Sequence, residues 1–167
     1  MRDSQAIGYY STRGANNLVL NCDAFNNWDY TSEDGRGGNV DGFGIHPGKG
    51  DIGNIIRGCR AWFNSDDGYD LINSGEAVII DNSWAAFNGF TKEFKSVGDG
   101  NGFKAGGYGS TEEAELPSVI PRHKVINSFA MRNKQSGFYA NHHIGGIDWV
   151  NNVAYANKKN FNPIKIS

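Results

Sequence analysis

The sequence predicts an all-β protein, and within that class a parallel β-helix built from coils of about 24 residues. The composition supports this class, because the 167 residues include 23 glycines and 20 asparagines but only 4 prolines, a mixture that favours tight turns over long helices. A repeated heptapeptide and a regularly placed apolar position are the other two observations. Hydrophobic residues make up 38% of the chain, which is enough apolar surface to drive folding.

The repeat consists of five heptapeptides that align without gaps. Every copy has alanine at its fourth place and asparagine at its seventh, and the successive alanines are 37, 24, 45 and 24 residues apart. The basic unit is therefore 24 residues long, with insertions in two of the units. The copies are NCDAFNN at 21–27, GCRAWFN at 58–64, NSWAAFN at 82–88, NSFAMRN at 127–133 and NNVAYAN at 151–157.

Two further positions in each unit indicate short β-strands. An apolar residue stands five places before each alanine, and a glycine-aromatic pair follows each of the first four copies. Such short apolar patterns between turn residues are typical of strands. The apolar positions are Val19, Ile56, Ile80, Val125 and Trp149, and the pairs are Gly42-Phe43, Gly68-Tyr69, Gly102-Phe103 and Gly137-Phe138, with Gly8-Tyr9 and Asn160-Phe161 as related pairs at the two ends. The residues inserted at 28–40, at 89–100 and around 110–121 are predicted to be loops at the sides of the stack.

A unit of this length cannot bury a core by itself, but stacked units bury a continuous one. Leucine-rich repeats are excluded because the leucine scaffold is absent, and ankyrin and tetratricopeptide repeats because the glycine and asparagine content disfavours their helices. Residues 1–167 are expected to form one β-helix domain. The apolar positions should stack inside it, and Asn27, Asn64 and Asn88 should stack at one turn, where their amides can hydrogen-bond along the ladder.

Charge and local patterns exclude several classes of protein. Sixteen basic and eighteen acidic residues give a net charge of -2, which argues against a nucleic-acid binder that depends on a basic surface. No apolar run approaches the length of a membrane span, and the first residues lack the pattern of a signal peptide. Cys22 and Cys59 match neither zinc spacing nor a redox pair, so we expect small buried fillers whose redox state stays open.

Alignment of the coils on their glycine-aromatic pairs brings acidic residues together. Asp41 and Asp67 share a column and should lie about 4.8 Å apart, one strand spacing, with Asp66 beside them. Asp70 shares a column with Lys104, and both should point outward next to an inward ring. Four close carboxylates repel one another unless a cation is present, and oxygen ligands without histidine or cysteine suit calcium. We therefore predict that these four aspartates hold Ca²⁺.

Lys104 is the candidate base. A divalent cation beside a lysine disfavours its charged form, which lowers the pKa of the amine and increases the neutral fraction that can accept a proton. The column that contains Lys104 places it next to Asp70 and hence next to the expected cation. The position thus predicts proton abstraction as the task of this lysine.

These segments resemble polysaccharide lyase family nine, the pectate lyases. NCDAFNN, NVDGFG, RGCRAWFNSDDGYD, NSWAAFNG, GNGFKAGG and NNVAYAN are similar to the coils of that family in order, from about residue 8 to residue 161. The resemblance implies a right-handed parallel β-helix and a secreted or periplasmic monomer that acts on an acidic polysaccharide, with no nucleic-acid or membrane partner. A complete domain of the family has several more coils before the first one here, so we expect an incomplete portion of a longer β-helix.

The resemblance also implies the roles of the site residues. The calcium ligands of the family carry over to Asp41, Asp66, Asp67 and Asp70, and its base carries over to Lys104 in the GFK segment. The implied reaction is a calcium-dependent β-elimination on 4-linked galacturonate, in which the lysine removes the C5 proton. One departure is Tyr139, which stands where an acidic residue often follows the aromatic. The roles of the residues after it, Asn141, His142 and His143, are left open.

Three other functions are compatible with parts of the pattern. A rhamnogalacturonan lyase of the same family would use the same residues. A β-helical polygalacturonase would use Asp66 and Asp67 as acid and base, but its expected histidine-glycine and arginine-lysine segments are missing and Lys104 would have no task. A non-catalytic carbohydrate-binding segment would hold calcium for structure alone. The sequence leaves open which pectic polymer is cleaved, and whether internally or from an end.

Overall fold

The computed structural model describes residues 1–31, 35–109 and 116–163. In these residues the chain forms sixteen short strands, numbered β1 to β16 in chain order, and no helix. The strands pair in parallel and form three sheets, to which successive coils each contribute one strand. The predicted parallel β-helix is confirmed.

The three sheets are called the site sheet, which carries Asp70 and Lys104, the aliphatic sheet and the alanine sheet. The site sheet contains, in spatial order, β1 (Tyr9–Ser11), β4 (Phe43–Ile45), β7 (Tyr69–Asp70), β10 (Phe103–Lys104), β13 (Ser136–Tyr139) and β16 (Lys159–Asn162). The aliphatic sheet contains β14 (Ile147–Val150), β11 (His123–Ile126), β8 (Val78–Asp81), β5 (Asn54–Arg57) and β2 (Leu18–Leu20). The alanine sheet contains β15 (Val153–Tyr155), β12 (Phe129–Met131), β9 (Trp84–Ala86), β6 (Arg60–Trp62) and β3 (Asp23–Phe25).

The register of the sheets follows the heptapeptide alignment. In the alanine sheet the fourth residue of each heptapeptide pairs with the fourth residue of the next, from Ala24 through Ala61, Ala85 and Ala130 to Ala154. Because one slipped residue would turn every side chain to the other face, this register keeps the small alanines inward. The aligned segments are therefore true coils.

Columns of like side chains fill the interior, since alternate residues of each strand point inward. The buried rings of Phe43, Tyr69, Phe103 and Phe138 stack with their centroids 5.0, 4.6 and 4.9 Å apart. Each fully buried large apolar side chain contributes roughly 1.5–3 kcal/mol to folding. The predicted aliphatic column is also present, with Val19, Ile56, Ile80 and Val125 buried and Trp149 partly buried against them.

A ladder of asparagines lies at the turn after the alanine sheet. The side-chain Nδ2 of each of these residues donates to Oδ1 of the next, at distances of 2.8, 3.0, 2.9 and 3.0 Å. Burial of an amide is tolerated only when its donors and acceptors are paired, and the ladder meets that need. The prediction of stacked asparagines is confirmed, and it extends over Asn27, Asn64, Asn88, Asn133 and Asn157.

The corner before the alanine sheet explains the first place of the heptapeptide. In all five copies this residue has a positive φ, between 46° and 65°. Glycine and asparagine adopt that left-handed conformation at the lowest cost. The residues concerned are Asn21, Gly58, Asn82, Asn127 and Asn151.

The described parts of the insertions form loops beside the site sheet. The backbone amide of Val97 in the second insertion donates to the carbonyl of Gly89 at 2.9 Å, which closes that loop on itself. The first and third insertions lie partly outside the described residues, because 32–34 and 110–115 belong to no described range. Cys22 and Cys59 form no disulfide, and both pack in or against the core as expected. The described ranges contain no helix that is long and apolar enough to cross a membrane.

Candidate active site

The candidate site lies on the outer face of the site sheet. The register pairs Gly44 with Asp70 and Asp70 with Lys104, so the predicted column is confirmed. The neighbouring rings of Tyr69 and Phe103 are buried in the core, and alternation along the strand then directs Asp70 and Lys104 to the opposite face. The repeat thereby places an acid and a base side by side.

Three of the four predicted aspartates form one cluster. Carboxylate oxygens of Asp41, Asp67 and Asp70 lie within 4.8 Å of one another. All three side chains are buried, with residue exposures of 2%, 0% and 5%. Buried carboxylates without enough counter-charge are costly, so this cluster has the character of a cation site.

Asp66 adjoins the cluster, but its carboxylate is turned to the loops. One oxygen accepts a hydrogen bond from the backbone amide of Asn39 at 2.8 Å, and the other accepts one from the backbone amide of Asp99 at 2.7 Å. Asn39 and Asp99 belong to the first and second insertions, so Asp66 ties both loops to the coil. Its role as a fourth metal ligand stays a prediction.

The oxygens of Asp67 show that the donor set fits a hard cation. Oδ1 accepts from the backbone and side-chain nitrogens of Asn101 at 2.6 and 2.9 Å. Oδ2 is buried without a hydrogen-bond partner, although Nζ of Lys104 lies 3.2 Å away as an ion-pair contact. The ion pair is the contact that holds this oxygen, because a charge contact does not need hydrogen-bond alignment. A buried carboxylate oxygen without a hydrogen bond, beside two further carboxylates, is the ligand chemistry that Ca²⁺ prefers.

Burial and mutual repulsion raise the pKa values in the cluster. Burial, followed by the charges of Asp66 and Asp70, raises the pKa of Asp67 from its ordinary value of 3.8 to about 8, against the opposing effect of Lys104. Burial and the charges of Asp70, Asp67 and Asp66 also raise the pKa of Asp41 well above its ordinary value. A cation in the cluster would compete with protons for these oxygens.

Lys104 is held by the same carboxylates. Its Nζ lies 3.1 Å from Oδ2 of Asp70 and 3.2 Å from Oδ2 of Asp67, with the side chain 15% exposed. Burial lowers the pKa of the amine, but the charges of Asp67, Asp70, Asp41 and Asp66 together raise it above its ordinary value. When those charges are neutralised, the effect of burial remains and favours the neutral amine.

Residues after Tyr139 support the segment that carries Lys104. Nδ2 of Asn141 donates to the carbonyl of Gly106 at 2.7 Å, and the amide of Gly107 donates to Nδ1 of buried His143 at 3.1 Å. These contacts brace the loop that follows Lys104. His142 is exposed and its ring meets that of Tyr139 edge to face.

Sequence reasoning missed one residue of the site and gave no role to the lysine that follows it along the same column. Asn101, which holds Asp67, falls in the alignment column of Asp41 and Asp67, so the repeat contained a signal for it. Lys159 extends the same column through its register with Ser136. In the alignment Lys159 has no acidic neighbour in this column, so no pattern in the sequence singled it out.

Comparison with known proteins places this geometry in a family. The family model described as "Pel9A-like, right handed beta helix region" matches residues 1–166. The chain is 39% identical over 150 residues to pectate lyase L of Dickeya chrysanthemi, covering 89% of the chain and 32% of that protein. It is 35% identical over 161 residues to pectate lyase PEL9 of Emericella nidulans, covering 86% of the chain and 37% of that protein.

Two solved structures share the fold. A rhamnogalacturonan lyase is 55% identical with a TM-score of 0.82, covering 87% of the chain and 36% of its own. The crystal structure of pectate lyase Pel9A is 34% identical with a TM-score of 0.67, covering 93% of the chain and 36% of its own. The chain thus spans about a third of the length of these relatives. The predicted handedness and the resemblance to polysaccharide lyase family nine are confirmed, and the chain belongs to the Pel9A-like family of right-handed β-helices.

Proposed function

We propose that this chain carries the catalytic site of a calcium-dependent polysaccharide lyase that cleaves 4-linked galacturonate by β-elimination. The observation that carries the proposal is the position of Lys104, whose Nζ lies 3.1–3.2 Å from two members of a buried acidic cluster. A base next to a cation site is the arrangement that this elimination requires, because the proton is removed from a carbon that a nearby carboxylate activates.

Asp41, Asp67 and Asp70 would hold Ca²⁺, with Asp66 as the fourth proposed ligand. Bound there, Ca²⁺ would neutralise the uronate carboxylate and withdraw electron density from the sugar, which makes the C5 proton more acidic. A bound cation would also explain how a chain with a net charge of -2 can engage a polyanion, since the cation would offset part of the negative charge on both.

Lys104, as the neutral amine, takes the proton from C5. The electrons of the C5–H bond form a C4–C5 double bond, and the bond between C4 and the glycosidic oxygen breaks. That oxygen leaves with its electron pair and is protonated from solvent. The products are an unsaturated uronate at the new non-reducing end and a shortened chain with a free hydroxyl.

The relatives support two substrates. The 39% identity to a pectate lyase favours polygalacturonate, as the residues first suggested. The 55% identity and TM-score of 0.82 to a rhamnogalacturonan lyase favour the rhamnogalacturonan backbone as a second candidate. Both polymers contain galacturonate linked through its O4, so the same elimination applies. Because they are extracellular polysaccharides, we propose that the protein is secreted or periplasmic, and its action as a monomer stays a prediction.

Two non-lyase alternatives are less well supported. A hydrolase would need Asp66 and Asp67 as a free acid-base pair, but both oxygens of Asp66 accept backbone hydrogen bonds. A purely structural calcium site would leave the ion pairs of Lys104 without a chemical task.

The test is the ultraviolet absorbance of unsaturated uronate when the chain is incubated with polygalacturonate or with rhamnogalacturonan backbone. We expect absorbance to rise with calcium on one of the two polymers and to stop on addition of a chelator. Shortened products without that absorbance would indicate hydrolysis, and no change in either polymer would indicate a binding segment.

A further inference from the structure

A polar cavity without an assigned role lies next to the candidate site. Its volume is about 220 Å³, which is enough for one pyranose ring. It opens over β10, β13 and β16 of the site sheet. Its lining includes Asp99, Gln135, Ser136, Tyr139, Lys159 and Asn162.

The cavity is continuous with the acidic cluster through two columns of the sheet. In one column, Lys104 pairs in register with Tyr139, and Tyr139 pairs with Asn162. The other column runs from Asp67 through Asn101 and Ser136 to Lys159. Its members are linked because the amide of Asn101 donates to Oδ1 of Asp67 at 2.6 Å, and the amide of Ser136 donates to Oδ1 of Asn101 at 3.1 Å.

The charge changes sign along this second column. Asp67 at one end is acidic, Asn101 and Ser136 are neutral, and Lys159 at the other end is basic. Lys159 and Asp99 are the two charged groups among the lining residues, and in the described part of the chain neither has an ion-pair partner. Both residues are exposed to solvent, so each is available to a ligand.

A hexuronate residue has the complementary groups. Its carboxylate can accept from the ammonium of Lys159 and from neutral donors such as the amides of Gln135 and Asn162. Its ring hydroxyls can donate to the carboxylate of Asp99. A neutral hexose lacks the first interaction, so the positive charge at Lys159 favours a uronate.

We propose that this cavity is a second uronate subsite, in which Lys159 binds the carboxylate of a galacturonate residue other than the one that Lys104 deprotonates. The inference rests on the proposed function. Lys104 and Lys159 lie on strands that are two spacings apart, about 10 Å along the stack, a distance that a few linked sugar rings span. Lys159 therefore makes the enzyme prefer unesterified stretches of the polymer.

The test compares Lys159→Gln with Lys158→Gln. Both variants remove one positive charge from adjacent exposed lysines, but residue 158 is not part of the cavity lining. On polymer with little methyl ester, we expect Lys159→Gln to raise KM about tenfold with kcat within about twofold, the lower range for a lost charge-assisted hydrogen bond. Lys158→Gln should match the wild type, and Lys159→Arg should recover most of the loss.

Esterification and direct binding separate this inference from the proposed function. On highly methyl-esterified polymer the difference between Lys159→Gln and wild type should shrink, because the carboxylate charge is gone. In a Lys104→Ala background, calorimetry with saturated trigalacturonate and calcium should show about tenfold weaker binding after Lys159→Gln, whether or not the wild type proves to be a lyase. Equal KM and equal binding in the Lys159→Gln and Lys158→Gln variants would overturn the subsite, as would a fall in kcat with unchanged KM.

Discussion

Two ion pairs in this molecule join residues that lie directly opposite each other on adjacent parallel strands, but the surroundings of the two pairs differ. Arg57 pairs with Asp81 across the aliphatic sheet, with 2.9 Å between charged atoms and side chains that are 48% and 16% exposed. Lys104 pairs with Asp70 across the site sheet, at 3.1 Å with side chains 15% and 7% exposed. In both, a basic residue lies beside an acidic one on the adjacent coil.

The difference lies in the balance of charge around each pair. Arg57 and Asp81 match one charge with one charge, and because water screens the half-exposed arginine the pair contributes about 0.2–1 kcal/mol. Lys104 is one cation beside three clustered carboxylates that are almost fully buried. Such an excess of buried negative charge costs stability unless a cation offsets it. A stacked fold can thus use one local geometry for cohesion in one sheet and for chemistry in another.

The largest effect should come from Lys104 itself. Lys104→Ala should lower the rate of unsaturated-uronate formation by about a thousandfold, since a positioned base contributes roughly 10²–10⁴. Lys104→Arg should be as inactive, because arginine keeps the charge but does not lose its proton near neutral pH. The measurement is the initial rate of absorbance increase, with melting temperature and calcium binding as controls. An active arginine variant would show that Lys104 binds substrate and that another group is the base.

The next effect concerns the cation. Asp67→Asn keeps the shape of the side chain but removes a buried ligand charge, so we expect calcium to bind at least about tenfold more weakly. Calorimetric titration with calcium measures this change, and Asp81→Asn serves as a control that loses a carboxylate on another sheet. Equal calcium affinity in the two variants would place the ion elsewhere.

The raised pKa of Asp67 predicts a pH-dependent stability. Between the ordinary pKa of 3.8 and about 8, the folded chain keeps a proton that the unfolded chain has released, so calcium-free stability falls as pH rises. Burial lowers the pKa values of His46, His123 and His143, and these act in the opposite direction below about pH 6.5. The clear window is therefore from about pH 6.5 to 8.

Thermal unfolding in chelator should show the melting temperature decreasing across this window, by about 2–4 °C for each kcal/mol lost. Saturating calcium should abolish the decrease, because a cation keeps the cluster ionised, and Asp67→Asn should reduce it. A melting temperature that is flat in chelator would mean that Asp67 is already ionised in the folded chain.

The smallest effect belongs to the surface pair. Arg57→Gln should change the free energy of unfolding by less than about 1 kcal/mol and leave lyase activity at the wild-type level. Denaturant titration and the absorbance assay measure the two quantities. We expect no loss of activity, because Arg57 and Lys104 lie in different sheets. A loss in this variant would show that the aliphatic sheet influences the site.

Much of the fold could be predicted because the repeat converts spacing into contact. Alanine at the fourth place and asparagine at the seventh recur with a coil, so stacking had to bring each into one column, as the register from Ala24 to Ala154 shows. The same reasoning predicts Lys104 beside Asp70, as the register of the two strands shows. The column in which a side chain lies is set by its place in the repeated unit, so the repeat alone predicts it.

The tertiary structure alone decided what depends on the insertions. The carboxylate of Asp66 is directed by amides at Asn39 and Asp99, and both of these lie in loops that have no counterpart in other coils. The cavity at Lys159 likewise combines a loop residue, Asp99, with strand residues. The sequence by itself determined the columns, because a single register keeps the repeated apolar side chains of every strand inside. Loop positions and the charges they enclose came from the folded chain, because an unrepeated segment is positioned only by the contacts it makes.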